Sequence, residues 1–190
     1  MKVGRPMKDF YREDPLFSLC GLNCALCPMH LGGWCPGCGG GPGNQPCAVA
    51  RCSREHGGVE YCCFCGEYPC ERLAAGNAYD TFISHRNRQQ DLERFCKIGQ
   101  DAYRAELDEK AAILEKLLDI YNDGRHKGFF CSAVNLLPLP DLREIMQGLA
   151  KQPERGSAKE RAAAAAVLLQ TAADQQGISL KLRKKPKKII

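Results

Sequence analysis

Cysteine dominates the chemistry that this sequence offers. Of the thirteen cysteines in 190 residues, eleven lie between Cys20 and Cys70. Two cysteines separated by two residues can hold one zinc ion from a tight turn, because thiolates bind Zn²⁺ tetrahedrally and the amides of the turn donate hydrogen bonds to the sulfur atoms. The sequence contains three such pairs, Cys24/Cys27, Cys35/Cys38 and Cys62/Cys65. One pair is a weak signal, whereas three pairs in one window indicate a metal site.

The predicted ligands extend beyond these pairs. The full set is Cys20, Cys24, Cys27, Cys35, Cys38, Cys47, Cys52, Cys62, Cys65 and Cys70. The window holds enough sulfur for two four-cysteine sites, and the order along the chain does not say which cysteines share an ion. Three four-ligand sites would need twelve ligands, one more than the eleven cysteines of the window. His30 and His56 are the candidates for the missing ligand. Gly39 and Gly66 follow the second cysteine of their pairs, which predicts a left-handed turn at each.

The metal itself has two candidate identities. The spacing Cys20-x-x-x-Cys24-x-x-Cys27 is the one that radical S-adenosylmethionine enzymes use to hold a [4Fe-4S] cluster. Those enzymes continue with a long series of alternating strands and helices, whereas here glycine and cysteine follow, and then helices. The ligand spacing therefore favours two or more Zn²⁺ ions, with a [4Fe-4S] cluster as the alternative.

Other chemical motifs are weaker. The glycine-rich stretch 39–44 lacks the lysine and hydroxyl residue of a phosphate-binding loop. Asp80, His85 and Arg86 include a candidate general base and an anion contact, but no nucleophile accompanies them, so no catalytic residue is assigned. Disulfide chemistry at a Cys-x-x-Cys pair would require a βαβ setting that this region does not offer.

Three cysteines are left outside the predicted ligand set. Cys63 lies beside Cys62 and is interpreted as a spectator. Cys96 and Cys131 follow apolar neighbours and are predicted to be buried structural thiols. None of the three is assigned a reaction.

The elements around the cysteines divide the chain in composition. Residues 20–70 hold eleven of the nineteen glycines and show little hydrophobic periodicity, so metal is expected to replace a conventional core there. From Glu71 onward the pattern becomes helical. Apolar residues from Phe82 to Ile98 predict one or two amphipathic segments that end at Gly99, and a clearer helix is predicted from Asp101 to Tyr121.

The last third is also predicted to be mainly helical. Residues 129–137 form a short apolar run of uncertain type, read as buried, that prolines terminate. A short helix is expected from Asp141, and Ser157-x-x-Glu160 is a capping box that opens an alanine-rich helix ending at Gly177. The alternation in residues 178–182 predicts a short edge strand.

The predicted fold class is therefore mainly α with an irregular, metal-stabilised, cysteine-rich N-terminal module and little or no β structure. The predicted organisation is an N-terminal lead (1–19), a metal-binding module (20–70), a helical region packed on it (71–177), and a short strand with a basic tail (178–190). The opening residues lack the apolar core of a signal peptide and no apolar run is long enough to cross a membrane. We accordingly expect a cytoplasmic protein without a membrane partner, with thiolate ligands rather than disulfides.

The net charge of +5 comes from one short segment. Six lysines and arginines lie between Lys181 and Lys188, so residues 1–180 carry 21 basic against 22 acidic groups. The body is nearly neutral and does not itself predict nucleic-acid binding. The basic tail offers phosphate contacts, although a short basic terminus is more often simply solvated.

The cysteine pattern resembles that of uncharacterised prokaryotic cysteine-rich proteins, a domain of unknown function described as zinc-binding from its cysteines. Four stretches carry the resemblance: Cys20-Gly-Leu-Asn-Cys24-x-x-Cys27-Pro28, Cys35-Pro-Gly-Cys38, Tyr61-Cys-Cys-Phe-Cys65 with Tyr68-Pro-Cys70-Glu71, and Phe82-Ile-Ser-His85. Further stretches, Tyr121-Asn-Asp-Gly-Arg125, Phe129-Phe-Cys131 and Asn135-Leu-Leu137, are similar to a longer subgroup. The resemblance implies a metal but no substrate.

Three functions are consistent with these residues. The leading hypothesis is an interaction module with structural zinc that presents a surface to a protein partner or to nucleic acid. An iron-sulfur protein with redox or cofactor-dependent activity is the first alternative, and metal sensing or trafficking is the second. Whether the protein is an enzyme is left open, because an enzyme would need either an iron cluster or a zinc ion with an open coordination position.

Overall fold

The computed structural model describes residues 10–41, 47–151 and 156–185, and within them the chain is mainly helical, as predicted. The helices are α1 (Pro28–Leu31), α2 (Ala48–Glu55), α3 (Glu71–Ala75), α4 (Arg88–Ile98), α5 (Gln100–Ile120), α6 (Lys127–Leu136), α7 (Leu139–Ala150) and α8 (Ala158–Gln175). Two short 3₁₀ turns, Cys24–Leu26 and Cys62–Phe64, lie among the cysteines. In these ranges the β structure is limited to one isolated antiparallel bridge, between Phe17 and Asn23.

The described chain divides into two compact units. The first contains the residues up to Tyr103 together with those from Arg183 onward, and the second is Arg104–Leu182. The first unit therefore holds all the predicted ligands and is built from two separate stretches of sequence. The predicted boundaries at residues 20, 70 and 177 stay a prediction.

The first unit has an aromatic core. The rings of Phe17 and Tyr103 lie 4.6 Å apart, those of Tyr61 and Phe95 lie 4.3 Å apart, and Phe17 contacts Phe95 at 5.3 Å. Buried Asn23 ties this cluster to α4, because it accepts a hydrogen bond from the Tyr103 hydroxyl and donates one to Asp91, both at 2.9 Å. Such tilted aromatic pairs stabilise a core beyond the area they bury. Metal is thus not the sole source of a core in this unit, which the glycine-rich sequence had not indicated.

The second unit has an ordinary aliphatic core. α8 packs against α6 and α7 through a face of small residues, and Ala162, Ala165, Leu169 and Ala173 are fully buried. The predicted capping box is confirmed: Ser157 accepts from the Glu160 amide, and the Glu160 carboxylate accepts from the Ser157 amide. At the end of α6, the Lys110 ammonium donates to the Leu137 carbonyl at 2.9 Å, which satisfies a carbonyl that the helix leaves free.

Several local predictions are confirmed. The helix predicted from Asp101 to Tyr121 corresponds to α5. The apolar run of residues 129–137 lies within α6 and its C-cap, and it is mostly buried.

Other local predictions are wrong. Phe82 and Ile83 precede α4 instead of belonging to a helix, and Phe82 is exposed. α7 begins at Leu139 rather than Asp141, because a proline fits the first turn of a helix, where its missing amide leaves no bond unmade. Residues 178–182 form no strand, since no neighbouring strand is there to pair with them in the described chain.

Candidate metal centre

Two of the three Cys-x-x-Cys pairs adopt the same backbone turn. In the 3₁₀ turn Cys24–Leu26 the amide of Cys27 donates to the Cys24 carbonyl at 3.0 Å, and in Cys62–Phe64 the amide of Cys65 donates to the Cys62 carbonyl at the same distance. The closing residues Cys27 and Cys65 are both extended, with ψ of 129° and 136°. The sequence thus forms the same two-cysteine turn twice. We call each of these turns a clasp.

The third pair is shaped by glycine. Within Cys35-Pro36-Gly37-Cys38, Gly37 has φ of +90° and Gly39 has φ of +77°, both in the left-handed region that favours glycine. The amide of Cys38 donates to the Pro15 carbonyl at 2.8 Å, which fixes this turn against the chain that precedes the cysteines. The left-handed turn predicted at Gly39 is confirmed. That at Gly66 is wrong, because Cys65 leads into the turn at Tyr68 without a positive φ.

The first of two cysteine groups is formed by Cys20, Cys24, Cys27, Cys35 and Cys38. Burial raises the pKa of the Cys24 thiol well above its ordinary value, and the negative charges of Cys38, Cys20, Cys27 and Cys35 raise it further. Such mutual effects arise only between thiolates that lie close together in a poorly solvated place. We call these five residues the N-terminal cysteine group.

Two features of the N-terminal cysteine group partly offset the effect of burial, although the pKa of both thiols concerned is raised overall. At Cys27, burial raises the pKa, while hydrogen bonds from the amides of Met29 and His30 lower it. At Cys38, burial raises the pKa to about 11, against the lowering effect of the Arg12 guanidinium. Amide-to-sulfur bonds of this kind are those expected of a metal-binding turn. His30 is held nearby, with its Nδ1 3.0 Å from the Cys35 carbonyl oxygen.

The second group lines a small pocket of about 20 Å³. Cys52, Cys62, Cys65 and Cys70 line this pocket together with His56, and we call it the sulfur pocket. α2 supplies Cys52, the second 3₁₀ turn supplies Cys62, and Cys70 precedes α3. Burial raises the pKa of Cys62 to about 12, and the charges of Cys20, Cys70, Cys52 and Cys65 contribute to the same shift. Cys20 therefore interacts with both groups.

One group of ligand atoms in the described residues is close enough to hold a metal ion as it stands. Cys52, Glu55 and His56 each offer an atom within 4.8 Å of the other two. His56 is oriented by its neighbours, with Nδ1 2.9 Å from the Cys52 carbonyl oxygen and 3.6 Å from the Cys52 sulfur, and Nε2 3.2 Å from a Glu67 oxygen. The structure thus brings His56 beside the predicted ligands, and Glu55 is a candidate that the sequence did not single out. A carboxylate on an exposed helix face gives no such signal by itself.

Four cysteines lie outside these two groups. Cys47 is the residue before α2 and does not line the sulfur pocket, so its predicted ligand role stays a prediction. Cys63 and Cys96 form a disulfide that joins the second 3₁₀ turn to α4. The prediction of thiols throughout is wrong for this pair, and Cys96 lies on the exposed face of α4 rather than in the core. Cys131 is buried, as predicted.

The polar residues weighed for catalysis have structural partners. The Asp80 carboxylate accepts hydrogen bonds from the amides of His85 and Arg183, and His85 lies between Thr81 and the Gly76 carbonyl at 2.9 Å from each. Asp123 accepts from the Arg125 amide and lies 2.7 Å from His126, so these residues form a local turn. We assign neither set a catalytic role. The glycine-rich stretch 39–44 lies partly outside the described residues.

Comparisons of the chain with models of protein families, with curated proteins and with solved structures give no match. No helix among the described residues has both the length and the apolar character needed to cross a bilayer. The candidate metal centre therefore depends on the residues themselves. The donor set of buried, mutually interacting thiols with amide hydrogen bonds suits a soft divalent cation, because bound positive charge relieves the repulsion between neighbouring thiolates.

Proposed function

We propose that this protein binds zinc in two four-cysteine sites, and that the ions stabilise the first unit so that it can present a surface to a partner. The sulfur pocket carries the proposal, because four cysteines from three separate elements line one cavity. A tetrahedral zinc site requires four donors around one point, and these four cysteines are the thiol donors that line this cavity.

The assignment of ligands follows the two groups. Cys24, Cys27, Cys35 and Cys38 would hold one ion, with the Arg12 guanidinium beside Cys38 as an outer partner. Cys52, Cys62, Cys65 and Cys70 would hold the other. Cys20 interacts with both groups and is buried, with its sulfur 3.3 Å from the Ser18 hydroxyl oxygen, so we treat it as a spare thiol between them.

Zinc is favoured over iron by the pairing of the turns. A [4Fe-4S] cluster on Cys20, Cys24 and Cys27 would use only one of the two matching clasps, whereas tetrahedral zinc uses both. The resemblance to cysteine-rich proteins described as zinc-binding agrees with this choice. It adds no substrate.

Metal exchange is a second candidate function, and one observation favours it. Glu55 and His56 lie within 4.8 Å of the Cys52 sulfur, so the sulfur pocket has more donors at hand than one tetrahedral ion needs. An ion that can change ligands leaves its site more easily than one enclosed by four thiolates. Rapid loss of one ion of two to a competing chelator, with the first unit still resistant to limited proteolysis, would favour trafficking over a structural role.

Elemental analysis with an absorption spectrum tests the proposal. Protein purified anaerobically is expected to be colourless and to contain about two zinc ions per chain. Brown protein with iron and acid-labile sulfide would overturn the zinc assignment. Protein without stoichiometric metal whose first unit still resists limited proteolysis would overturn the structural role as well.

A further inference from the structure

The basic segment that follows the second unit is anchored rather than free. The amide of Arg183 donates to Asp80 Oδ2 at 2.7 Å, its guanidinium donates to Asp80 Oδ1 at 2.8 Å, and the Asp80 amide donates to the Arg183 carbonyl at 2.9 Å. The Asp80 side chain has no exposed area. One main-chain bond, one bond from the Arg183 amide to the Asp80 carboxylate and a bidentate ion pair hold the backbone of this segment in place.

This anchor fixes a segment that carries two exposed lysines, one of which lies beside an aromatic ring. Lys184 and Lys185 follow Arg183 directly and are exposed, and the Lys185 ammonium lies 5.3 Å from the centre of the Tyr79 ring. Phe82, two residues after Asp80, leaves 58% of its area exposed although it is a large apolar residue. We call Tyr79, Phe82, Lys184 and Lys185 the aromatic-lysine surface.

The surface is positive on an otherwise balanced protein. Residues 79–86 and 183–185 contain four lysines and arginines and one acidic residue, Asp80, which gives a local net charge of +3. The chain up to residue 180 is close to neutral, so the charge is concentrated here. A fixed positive patch of this kind attracts a polyanion and loses affinity as salt is added.

The aromatic residues distinguish between polyanions. An acidic peptide would pair with the lysines but would leave the Phe82 ring in water. A single-stranded nucleic acid uses both features, because its phosphates contact the lysines and its bases stack on an exposed ring. We propose that the aromatic-lysine surface binds single-stranded nucleic acid, with a base stacked on Phe82 and phosphates at Lys184 and Lys185. This inference goes beyond the metal-binding function and does not depend on which metal the cysteines hold.

Fluorescence anisotropy of a labelled 20-nucleotide oligo-dT or oligo-U tests the proposal on the full, metal-loaded chain. At about 50 mM salt we expect binding, with an affinity that falls steeply as salt rises. The double variant K184A/K185A should bind at least about tenfold more weakly, and its salt dependence should be shallower by about 1.4 in logarithmic slope, which corresponds to two lost phosphate contacts. Phe82→Ala should lose about tenfold in affinity and keep the wild-type salt slope.

Matched controls separate this surface from general charge and exposure. K116A/K159A removes two exposed lysines of the second unit, and Tyr11→Ala removes an aromatic residue that is 73% exposed, so both should bind as wild type does. No binding at low salt, or equal losses in the controls, would overturn the proposal. So would polyglutamate binding as tightly as oligo-dT with no effect of Phe82→Ala, which would point to an acidic protein partner. Metal content and circular dichroism of each variant show separately whether the proposed metal function holds.

Discussion

Among single substitutions, those of the metal-binding cysteines should change the metal content most. Cys65→Ser should leave about one zinc ion of two, because a four-thiolate site that loses one ligand loses most of its affinity. Cys47→Ser should keep both ions, since Cys47 does not line the sulfur pocket. Native mass spectrometry of the anaerobic proteins measures the stoichiometry. If Cys47→Ser loses an ion and Cys65→Ser does not, the assignment of ligands to the second site is incorrect.

Asp80 is the residue whose charge should matter most to stability. Burial disfavours its ionised form, but hydrogen bonds from Arg183 and from the His85 amide outweigh this, so the pKa of Asp80 lies below its ordinary value. A lowered pKa contributes stability that is present above the unfolded pKa, about 4, and is lost as pH falls through the folded pKa. Asp80→Asn should therefore cost about 2 kcal/mol at pH 7 and progressively less below pH 4.

The measurement for Asp80→Asn is urea unfolding of the metal-loaded protein at several pH values, followed by far-ultraviolet circular dichroism, to which helices of both units contribute. Asp108→Asn is the control, because its ion pair with Arg104 is exposed and spans one helical turn. Its cost should be at most about 0.5 kcal/mol. An Asp80→Asn cost that stays constant down to pH 3 would contradict the role assigned to the carboxylate charge.

At the scale of elements, the loop before the first 3₁₀ turn depends on close packing against α4. Gly21 has φ of +87°, and a Cβ there would overlap the Arg88 carbonyl oxygen and lie 2.8 Å from Leu92 Cγ. Gly21→Ala should destabilise the first unit by about 3 kcal/mol or more, because backbone strain and a backbone clash combine. Gly57 has φ of +80° with nothing within 4 Å, so Gly57→Ala should cost only about 1–2 kcal/mol. Equal costs, measured by urea unfolding, would show that packing at Gly21 is unimportant.

Element prediction from sequence succeeded where a local pattern decides the structure. α5 and α8 have periodic apolar residues and, for α8, a capping box, and both helices were predicted closely. The prediction of a strand at residues 178–182 was wrong, because alternating apolar and polar residues cannot show whether a partner strand exists. The prediction that Phe82 belongs to an amphipathic helix was wrong for a related reason. An apolar residue fits a helical pattern, but the loop around Asp80 holds Phe82 outside α4 and leaves it exposed.

The sequence predicts that cysteines form a metal site, but it does not predict which cysteines lie together. Cysteine spacing identified the clasps, because a Cys-x-x-Cys turn is local. The division into two groups depends on contacts between α2, the second 3₁₀ turn and α3, which no local pattern reports. Glu55, near Cys52, and the Cys63–Cys96 disulfide were missed for the same reason.

For the whole molecule, metal removal should affect the two units differently. The second unit has its own aliphatic core and contains the larger part of the helical residues, so a strong zinc chelator should leave most of the far-ultraviolet circular dichroism intact. Trp34, the only tryptophan, is 76% exposed and adjacent to Cys35, so its emission should change as the N-terminal cysteine group loses its ion. Loss of the whole helical signal in step with the Trp34 signal would show that the units unfold together.

The pairing of Asp80 with Arg183 also sets an order of events during synthesis. The two residues are 103 positions apart, and every residue of the second unit is made between them. A ribosome therefore delivers the residues of the second unit before it delivers Arg183, which donates to both carboxylate oxygens of Asp80. Until then the buried Asp80 carboxylate has only nearby partners, the His85 amide and the Arg86 guanidinium at 3.6 Å, and its burial is less favourable than with Arg183 in place. This loop is accordingly expected to take its final position late, after the aromatic core beside it has formed.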